Sequence, residues 1–319
     1  MTYAAGAVKY PAGEEVLRMN LVITGASGFI GSNLVESLWK ESHTLKLLSR
    51  KPLIGANAPR KEWMYWEPGV PGEWGRSING ADGIIHLAGE PIAAKRWSAA
   101  QKEKISASRI ETTKALVDAI GKAKSKPKFL ISSSAVGYYG PHGDETLTEE
   151  SAPGSDYLAR VCVDWETEAK KAEAHGVRVV LLRTGIVLAK GQGALAKMVP
   201  PFKFFFGGPL GSGKQWMPWI HIEDVVGLII FLMEQEEDRG AFNVTAPNPV
   251  TMEDFCKAIG AAVNRPSWAN VPASMLSLLV GEMADMLLSG QRAMPQAALR
   301  SGYEFKFRNV REAIESLEL

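Results

Sequence analysis

Three glycines recur at every third position where a short apolar run ends: Gly25, Gly28 and Gly31 in the stretch LVITGASGFIG. Glycine permits a tight turn at the first position, a close approach of backbone N–H groups to a ligand at the second, and close helix–strand packing at the third. The N-terminus of the following helix would offer unpaired N–H groups and a partial positive charge. Those donors suit a pyrophosphate, so the spacing predicts a dinucleotide site.

The end of the next apolar run indicates which dinucleotide would bind. NAD sites usually place an Asp or Glu at the end of the second strand, about 20 residues beyond the glycines. Here TLKLLSR ends in Ser49, Arg50 and Lys51, so two cations stand where a carboxylate would be. A guanidinium fits a phosphate with charge-assisted hydrogen bonds, which favours NADP over NAD. The alternative is that both cations belong to a solvated turn.

Small residues after a later strand continue this predicted site. The sequence HLAG brings Leu87, Ala88 and Gly89 to the carboxyl edge of the sheet, where the ribose and pyrophosphate should pass. His86, inside the apolar run, is expected to be a core histidine. The predicted cofactor contacts up to this point are Gly25, Ser27, Gly28, Phe29, Ile30, Gly31, Ser49, Arg50, Lys51, Leu87, Ala88, Gly89 and Ser132.

Composition excludes several classes of protein. The 319 residues are 46% hydrophobic and 22% charged, as in an ordinary globular protein. A net charge of +1 suggests neither a nucleic-acid nor a membrane-surface partner. No apolar run reaches the roughly 18 residues of a membrane helix. The two cysteines, Cys162 and Cys256, match no metal or disulfide pattern, which suits a reducing compartment, and we expect a cytoplasmic protein without a metal.

The elements that must position the glycines alternate along the chain. Apolar runs predict strands, several of them continuous, as in a parallel sheet covered on both faces. The alternation predicts an α/β fold: a Rossmann-like, doubly wound parallel sheet. Strands are predicted at 21–24, 44–49, 83–87, 128–133, 178–182 and 241–244, and helices between them at 30–40, 98–122, 158–175 and 223–235.

Changes in composition divide the chain further. Residues 1–18 are expected to be a flexible extension, and 19–190 to form the dinucleotide-binding domain, to which 223–246 return. A smaller, mainly helical substrate-side lobe is predicted from 191–222 and 247–319. Its first part is rich in Gly, Pro and Phe and predicts a long functional loop, and helices are expected at 252–263, at 273–288 and near the C-terminus.

Several stretches together resemble a known family. GASGFIG, HLAG and FLISSSAVGYYG, in this order, are similar to the extended short-chain dehydrogenase/reductase superfamily. RWSAAQKEKISASRIETTKALVDAI, LRTGIVLAKGQGALAKM, PWIHIEDVVG and NVTAPNPVTMEDF resemble its atypical "epimerase family protein" group, which carries a small C-terminal domain of undefined function, matched by GEMADMLLSGQRAMPQAALRSGYEF. The resemblance covers about residues 19 to 316 and implies a nucleotide-binding protein, often one using NADP.

The resemblance also implies catalytic residues, and one part is missing. In the superfamily a Ser orients the substrate oxygen, and a Tyr-x-x-x-Lys pair serves as acid/base and holds the ribose. The Ser maps onto Ser134. Counting back from Glu166 in the usual YxxxKxxxE helix places Leu158 at the Tyr and Cys162 at the Lys. Arg109 replaces the supporting Asn and is expected to contact the cofactor ribose or phosphate.

Other residues could supply the missing chemistry. Tyr138 and Tyr139 follow Ser134, and Tyr157 is one residue out of register, which turns its side chain about 100° around the helix. Cys162 would need an activated thiol. The predicted catalytic candidates are therefore Ser134, Tyr138, Tyr157 and Cys162. Glu90, Arg183 and His221 are predicted on the substrate side, although His221 could instead bridge the two lobes.

The sequence is consistent with three functions, one of which is cysteine-based chemistry at Cys162. The other two belong to different classes of protein. The first is an NADP(H)-dependent oxidoreductase or epimerase acting on a small carbonyl or sugar-like substrate. The second is a non-catalytic protein that senses NADPH and signals through a partner. The resemblance also implies a possible homodimer through the long helices at 98–122 and 158–175.

Overall fold

The computed structural model describes residues 18–51, 57–70 and 72–319. The extension predicted for residues 1–18 lies outside these ranges, apart from its last residue. The strands are β1 (Asn20–Thr24), β2 (Thr44–Ser49), β3 (Lys61–Tyr65), β4 (Gly83–His86), β5 (Phe129–Ala135), β6 (Thr146–Leu147), β7 (Arg178–Thr184), β8 (Ile186–Ala189), β9 (Gln192–Gly193), β10 (Trp216–Met217), β11 (Trp219–His221), β12 (Gly240–Val244), β13 (Val250–Thr251) and β14 (Arg292–Ala293).

Helices connect these strands and complete the C-terminal part of the chain. Two short 3₁₀ helices, Val136–Tyr139 and Lys171–His175, follow β5 and the fourth α-helix. The α-helices are α1 (Phe29–Lys40), α2 (Glu73–Ile78), α3 (Ala99–Lys122), α4 (Tyr157–Lys170), α5 (Leu195–Lys203), α6 (Ile222–Glu234), α7 (Met252–Ala262), α8 (Ala273–Val280), α9 (Met283–Leu288), α10 (Gln296–Arg300) and α11 (Val310–Glu315).

Seven strands form one parallel sheet in the order β12-β7-β5-β4-β1-β2-β3. Each neighbouring pair is parallel, and Thr24 at the end of β1 is in register with His86 at the end of β4. The strand order reverses between β1 and β4, and the crevice at such a switch point is where α/β sheets bind ligands. The predicted Rossmann-like, doubly wound sheet is confirmed.

Helices cover both faces of this sheet. On one face, α1 and α6 pack through residues such as Leu34, Leu38 and Ile229. On the other, α2, α3 and α4 pack through residues such as Trp74 and Leu116. A third core joins β8, α5, β11, α7 and α11 in the C-terminal part.

The structure differs from the sequence-based expectation in four places. Strand β3 and helix α2 were not predicted, because they are only 5 and 6 residues long. The region predicted as a long loop contains α5, although Pro200 and Pro201 normally oppose a helix. The helix predicted at 273–288 is interrupted at Gly281, where φ is +65°. None of the helices in the described part of the chain is long and apolar enough to cross a membrane.

Candidate functional site

The glycine turn between β1 and α1 requires glycine for steric reasons. Gly25 has φ of +69°, and a Cβ there would lie 2.6 Å from the carbonyl carbon and oxygen of Leu87. A Cβ at Gly31 would lie 2.2 Å from Gly25 O. The turn is therefore pressed against the end of β4 on one side and against the first turn of α1 on the other.

The N-terminus of α1 is open toward solvent. The N-cap residue is Gly28, which has no side chain to accept hydrogen bonds from the first N–H groups of the helix. Ser27 and Gly28 are exposed, and Phe29 and Ile30 are half-buried. This arrangement leaves the donors of the first turn available to an anionic ligand.

The end of β2 presents the two predicted cations to solvent. Arg50 and Lys51 are both exposed, and the backbone N–H of Lys51 donates to Ser49 Oγ over 3.1 Å. Both side chains stand at the carboxyl edge of the strand beside β1. Their position fits a phosphate on the ribose of a bound dinucleotide.

The ends of β1 and β4 are tied together by His86. Its Nδ1 lies 2.6 Å from Thr24 Oγ1, and its Nε2 lies 3.0 Å from Thr113 Oγ1 on α3. Burial lowers the pKa of His86 to about 3, so the ring is neutral. It is a core histidine, as expected. The N–H of Ala88 donates to the same Thr24 Oγ1 over 3.3 Å, which fixes the small-residue stretch 87–89.

Arg109 reaches this edge from α3 but is largely used by the fold. Its Nη1 donates to Glu90 O over 3.1 Å and to Ile105 O over 2.9 Å, and its guanidinium lies 5.2 Å from the ring centre of Trp165. A Cβ at Gly89 would lie 3.4 Å from the guanidinium carbon. Arg109 thus supports the backbone after β4, in addition to the predicted contact with cofactor.

Ser134 at the end of β5 has a buried partner. Its hydroxyl donates to Glu166 Oε1 on α4 over 2.7 Å. Arg183 at the end of β7 binds the same carboxylate at both oxygens, through Nε and Nη2, each over 2.9 Å. Ser134, Glu166 and Arg183 are 4%, 2% and 3% exposed. The resemblance implied that Ser134 orients the substrate oxygen, but its proton is directed to Glu166, and Cys162 lies within hydrogen-bonding reach of the same hydroxyl.

Arg183, which was predicted on the substrate side, forms this buried ion pair. Burial alone would lower the pKa of Arg183, but the hydrogen bonds and negative charge of Glu166 raise it above its ordinary value. The remaining nitrogen, Nη1, donates to Tyr139 Oη and Glu149 O, each over 3.1 Å. All three guanidinium nitrogens are therefore engaged within the protein.

The three candidate tyrosines differ in what their hydroxyls bind. Tyr139 is buried and donates to Asn243 Oδ1 over 2.7 Å, and burial raises its pKa to about 12. Tyr157 donates to Lys102 O over 2.6 Å. Tyr138 is half-buried, and among the described residues its hydroxyl forms no hydrogen bond. Its ring lies over Arg183, with the guanidinium carbon 3.4 Å from the ring centre.

Cys162 has the environment of a core residue. It is 5% exposed, and burial together with the nearby Glu166 raises its pKa to about 12. The thiol therefore stays protonated at neutral pH, and the hypothesis of a nucleophilic Cys162 is not supported by its surroundings. Leu158, one turn earlier, faces Gly137: a Cβ added to Gly137 would lie 3.6 Å from the Cβ of Leu158.

The other two predicted substrate-side residues have different surroundings. Glu90 is half-buried beside Gln101, whose Nε2 lies 3.4 Å from Oε1. His221 is 2% exposed and caps α6, where Nδ1 accepts from Glu223 N–H over 3.2 Å. Its ring lies 4.0 Å from that of Phe307, and burial lowers its pKa to about 4. His221 therefore lies between α6 and the C-terminal segment that contains Phe307.

Sequence reasoning missed two residues of the buried network. Glu149 Oε1 accepts from the N–H groups of Asn243 and Ala297, and Asn243 in turn accepts from Tyr139. One signal in the sequence could have indicated such a network. Arg183 lies inside the apolar strand sequence RVVLLRT, and a buried charge requires polar partners. In the described ranges no group of His, Cys, Asp and Glu side chains is arranged to hold a metal ion.

Comparison with known proteins identifies the family. Residues 21–245 match the NAD dependent epimerase/dehydratase family, and residues 271–317 match a domain of unknown function, DUF1731. The chain is 42% identical to the Arabidopsis thaliana "Epimerase family protein SDR39U1 homolog, chloroplastic", covering 94% of this chain and 87% of that protein. It is 39% identical to the Bacillus subtilis "Epimerase family protein YfhF", covering 94% and 98%.

Solved structures agree with this placement. The crystal structure of human epimerase family protein SDR39U1 with NADPH has a TM-score of 0.83 and 32% identity, covering 94% of this chain and 99% of that one. A UDP-glucose 4-epimerase from Thermotoga maritima has a TM-score of 0.74 at 19% identity, which shows a shared fold alone. These matches show that the chain belongs to the NAD dependent epimerase/dehydratase family, in its epimerase-family-protein group.

Proposed function

We propose that this protein is an NADP(H)-dependent oxidoreductase or epimerase that acts on a small carbonyl or sugar-like substrate. The cofactor half of the proposal is supported by the glycine turn, whose first and third positions have no room for a Cβ. Preference for NADP(H) is supported by the exposed Arg50 and Lys51, which stand where NAD sites carry a carboxylate. The human relative crystallised with NADPH is consistent with both.

Tyr138 is the residue that we assign to proton transfer. The observation that carries this assignment is its hydroxyl, which is unbonded among the described residues, whereas the hydroxyls of Tyr139 and Tyr157 are bound within the fold. Tyr138 follows β5 at the carboxyl edge of the sheet, where ligands of this fold bind. Arg183 stacks on the ring of Tyr138 and fixes its orientation, so Arg183 is a positioning residue.

These contacts indicate which group transfers the hydride and which the proton. A bound nicotinamide would supply or accept the hydride at the substrate carbon. When a carbonyl is reduced, Tyr138 Oη gives its proton to the substrate oxygen, and the resulting phenolate regains one from water. In the oxidative direction Tyr138 first loses its proton to water, and the phenolate then accepts the proton of the substrate hydroxyl. Ser134 can accept a hydrogen bond but has no free proton to donate, because its hydroxyl is bound to Glu166.

Hydride tracing tests this proposal. The protein is loaded with NADPH deuterated at the transferable position and mixed with a metabolite extract, and deuterium in small molecules is measured by mass spectrometry. We expect label in one product, and a loss of about 100-fold or more in its rate for Tyr138→Phe, the usual scale of acid–base catalysis. NADPH affinity should not change, and Tyr157→Phe serves as the matched control.

Two results would contradict the proposal. Tight NADPH retention without label in any compound would indicate a non-catalytic NADPH-sensing protein. Full transfer in Tyr138→Phe would show that another group moves the proton.

A further inference from the structure

Four exposed aromatic side chains lie together in the C-terminal half of the chain. Phe204, Phe205 and Phe206 follow α5 and are 73%, 53% and 68% exposed, and Trp268, after α7, is 64% exposed. The indole N–H of Trp268 donates to Phe205 O over 3.0 Å, and its backbone N–H donates to Gly207 O over 3.0 Å. These bonds join the two segments into one feature, which we call the aromatic surface.

The fold holds the aromatic surface in a fixed form. Phe205 has φ of +66°, a conformation that bulky residues adopt rarely and at a cost in energy. Gly207 packs on the ring of the buried Phe202, where a Cβ would lie 2.1 Å from Cγ, and a Cβ at Gly208 would lie 2.4 Å from Ala269 O. Packing beneath the loop therefore keeps the phenyl rings directed outward.

The backbone under these rings is already hydrogen-bonded. The N–H groups of the three phenylalanines donate to the carbonyls of Pro200, Phe202 and Pro201, over 3.2, 2.9 and 2.9 Å in chain order. The indole N–H of Trp268 is used as well. Covering this surface with an apolar medium would therefore leave none of these donors without a hydrogen bond. Backbone that enters the hydrocarbon side of a bilayer interface must meet this condition.

The two sequence stretches that contain the aromatic surface carry charge of one sign. The sequence contains no Asp or Glu at 174–222 or at 255–281, the two stretches that supply the surface. Lys203 is exposed next to Phe204, and the guanidinium of Arg265 lies 4.4 Å from the ring centre of Phe205. Among the described residues neither cation belongs to an ion pair. The overall charge of +1 averages this region with acidic ones elsewhere.

A second copy of the chain is a poor occupant of this surface. Four aromatic side chains of about 200 Å² each, exposed by roughly two thirds, offer about 500 Å² of apolar area. A standard protein interface buries about 800 Å² on each partner. A two-fold axis would also bring Lys203 and Arg265 of one copy close to the same cations of the other.

We propose that the aromatic surface docks this protein on an anionic phospholipid bilayer. The phenyl rings and the indole enter the interfacial region, where aromatic side chains are favoured, and Lys203 and Arg265 lie against the lipid phosphates. The net charge alone predicted no membrane-surface partner; the local distribution of charge and aromatic area leads to the opposite inference. The docking is peripheral and independent of the proposed catalysis.

Flotation with vesicles tests this proposal on the full chain. Vesicles are made of phosphatidylcholine alone or of phosphatidylcholine with an equal amount of phosphatidylglycerol. We expect binding to the anionic vesicles only, weakening as salt is added. The double variant Phe204→Ser, Phe206→Ser should lose at least tenfold in partitioning, and Lys203→Gln about fivefold, the scale of one basic residue near a charged membrane. Tyr65→Ser, another exposed aromatic on the edge strand β3, should change nothing.

Thermal unfolding and NADPH binding of the double variant establish that it is folded. Vesicle binding that survives in the folded double variant would overturn the proposal, as would the absence of wild-type binding to either vesicle. Concentration-dependent dimerisation that the double variant abolishes would show that a second copy covers the surface instead, and would also overturn it.

Discussion

The guanidinium carbon of Arg183 lies 3.4 Å from the ring centre of Tyr138, while every nitrogen of that guanidinium is bound to other groups. The two residues come from the ends of β7 and β5, and the carboxylate that holds Arg183, Glu166, comes from α4. Three elements thus meet at the carboxyl edge of the sheet, and together they fix one tyrosine ring whose hydroxyl forms no hydrogen bond within the described ranges.

This arrangement differs from the Tyr-x-x-x-Lys pair that the family resemblance implied. There both groups lie on one helix, whereas here Leu158 and Cys162 occupy those helix positions. The proposed proton-transfer residue lies on the loop after β5 instead. The helix contributes Glu166, which anchors the arginine beneath the loop.

Replacing Glu166 should destabilise the protein strongly. Glu166→Gln leaves the buried Arg183 without a counter-charge, and breaking such a pair costs about 3–5 kcal/mol of the free energy of unfolding. Urea denaturation measures this cost. The control is Glu73→Gln, whose partner Arg76 is exposed, and a change within about 1 kcal/mol is expected there. Equal effects in the two variants would contradict the assignment of the Arg183–Glu166 pair as a buried anchor.

Reversing the charge at Arg50 should lower the affinity for NADPH but not the affinity for NADH. Arg50→Glu removes charge-assisted hydrogen bonds to a 2′-phosphate, each worth about 1.5–3 kcal/mol, so NADPH affinity should fall at least tenfold. NADH affinity should change little, because that molecule lacks the phosphate. Calorimetric titration of both dinucleotides measures the effect, with the exposed Arg76→Glu as control. A parallel loss for NADPH and NADH would argue against a phosphate contact.

Two glycine substitutions distinguish backbone strain from steric overlap. Gly25 and Gly80 both have positive φ, but a Cβ meets Leu87 at 2.6 Å only at Gly25 and open space at Gly80. Gly80→Ala should cost about 1–2 kcal/mol of stability and leave NADPH affinity unchanged. Gly25→Ala should displace the turn and weaken NADPH binding at least tenfold. Unchanged binding in Gly25→Ala would remove the turn from the cofactor site.

Acid should destabilise the fold through His86. Its pKa is about 3 in the fold and 6.5 when unperturbed, so the unfolded chain binds the proton first. The stability from keeping His86 neutral is present above pH 6.5 and is lost as the pH falls toward 3. At pH 5 this loss is about 2 kcal/mol relative to neutral pH.

The test compares His86→Gln with the parent protein in urea at both pH values. The variant should be less stable at neutral pH, because its contacts with Thr24 and Thr113 are altered, but its stability should fall less toward pH 5. Asp224 acts in the opposite direction, since burial raises its pKa to about 6 and its contribution is lost as the pH rises from 3.8 to 6. An identical pH dependence in parent and variant would contradict this role of His86.

The sequence by itself determined the sheet and the glycine turn. Continuous apolar runs mark buried parallel strands wherever they occur, and the demands on Gly25 and Gly31 come from contacts of the turn with its neighbouring backbone. The edge strand β3 was not predicted because Lys61–Tyr65 is short and only partly buried, although it contains the apolar residues Trp63, Met64 and Tyr65. The family resemblance then fixed the position of Ser134, but it could not give its hydrogen-bond partner.

Only the tertiary structure decided which side chains are free to act. Tyr138, Tyr139 and Tyr157 are indistinguishable as residue types, and their hydroxyls differ because packing brings Asn243 to one and Lys102 O to another. The aromatic surface likewise depends on a contact between Phe205 and Trp268, 63 residues apart in the chain. Such contacts are set by how elements pack, and local sequence patterns report only periods of a few residues.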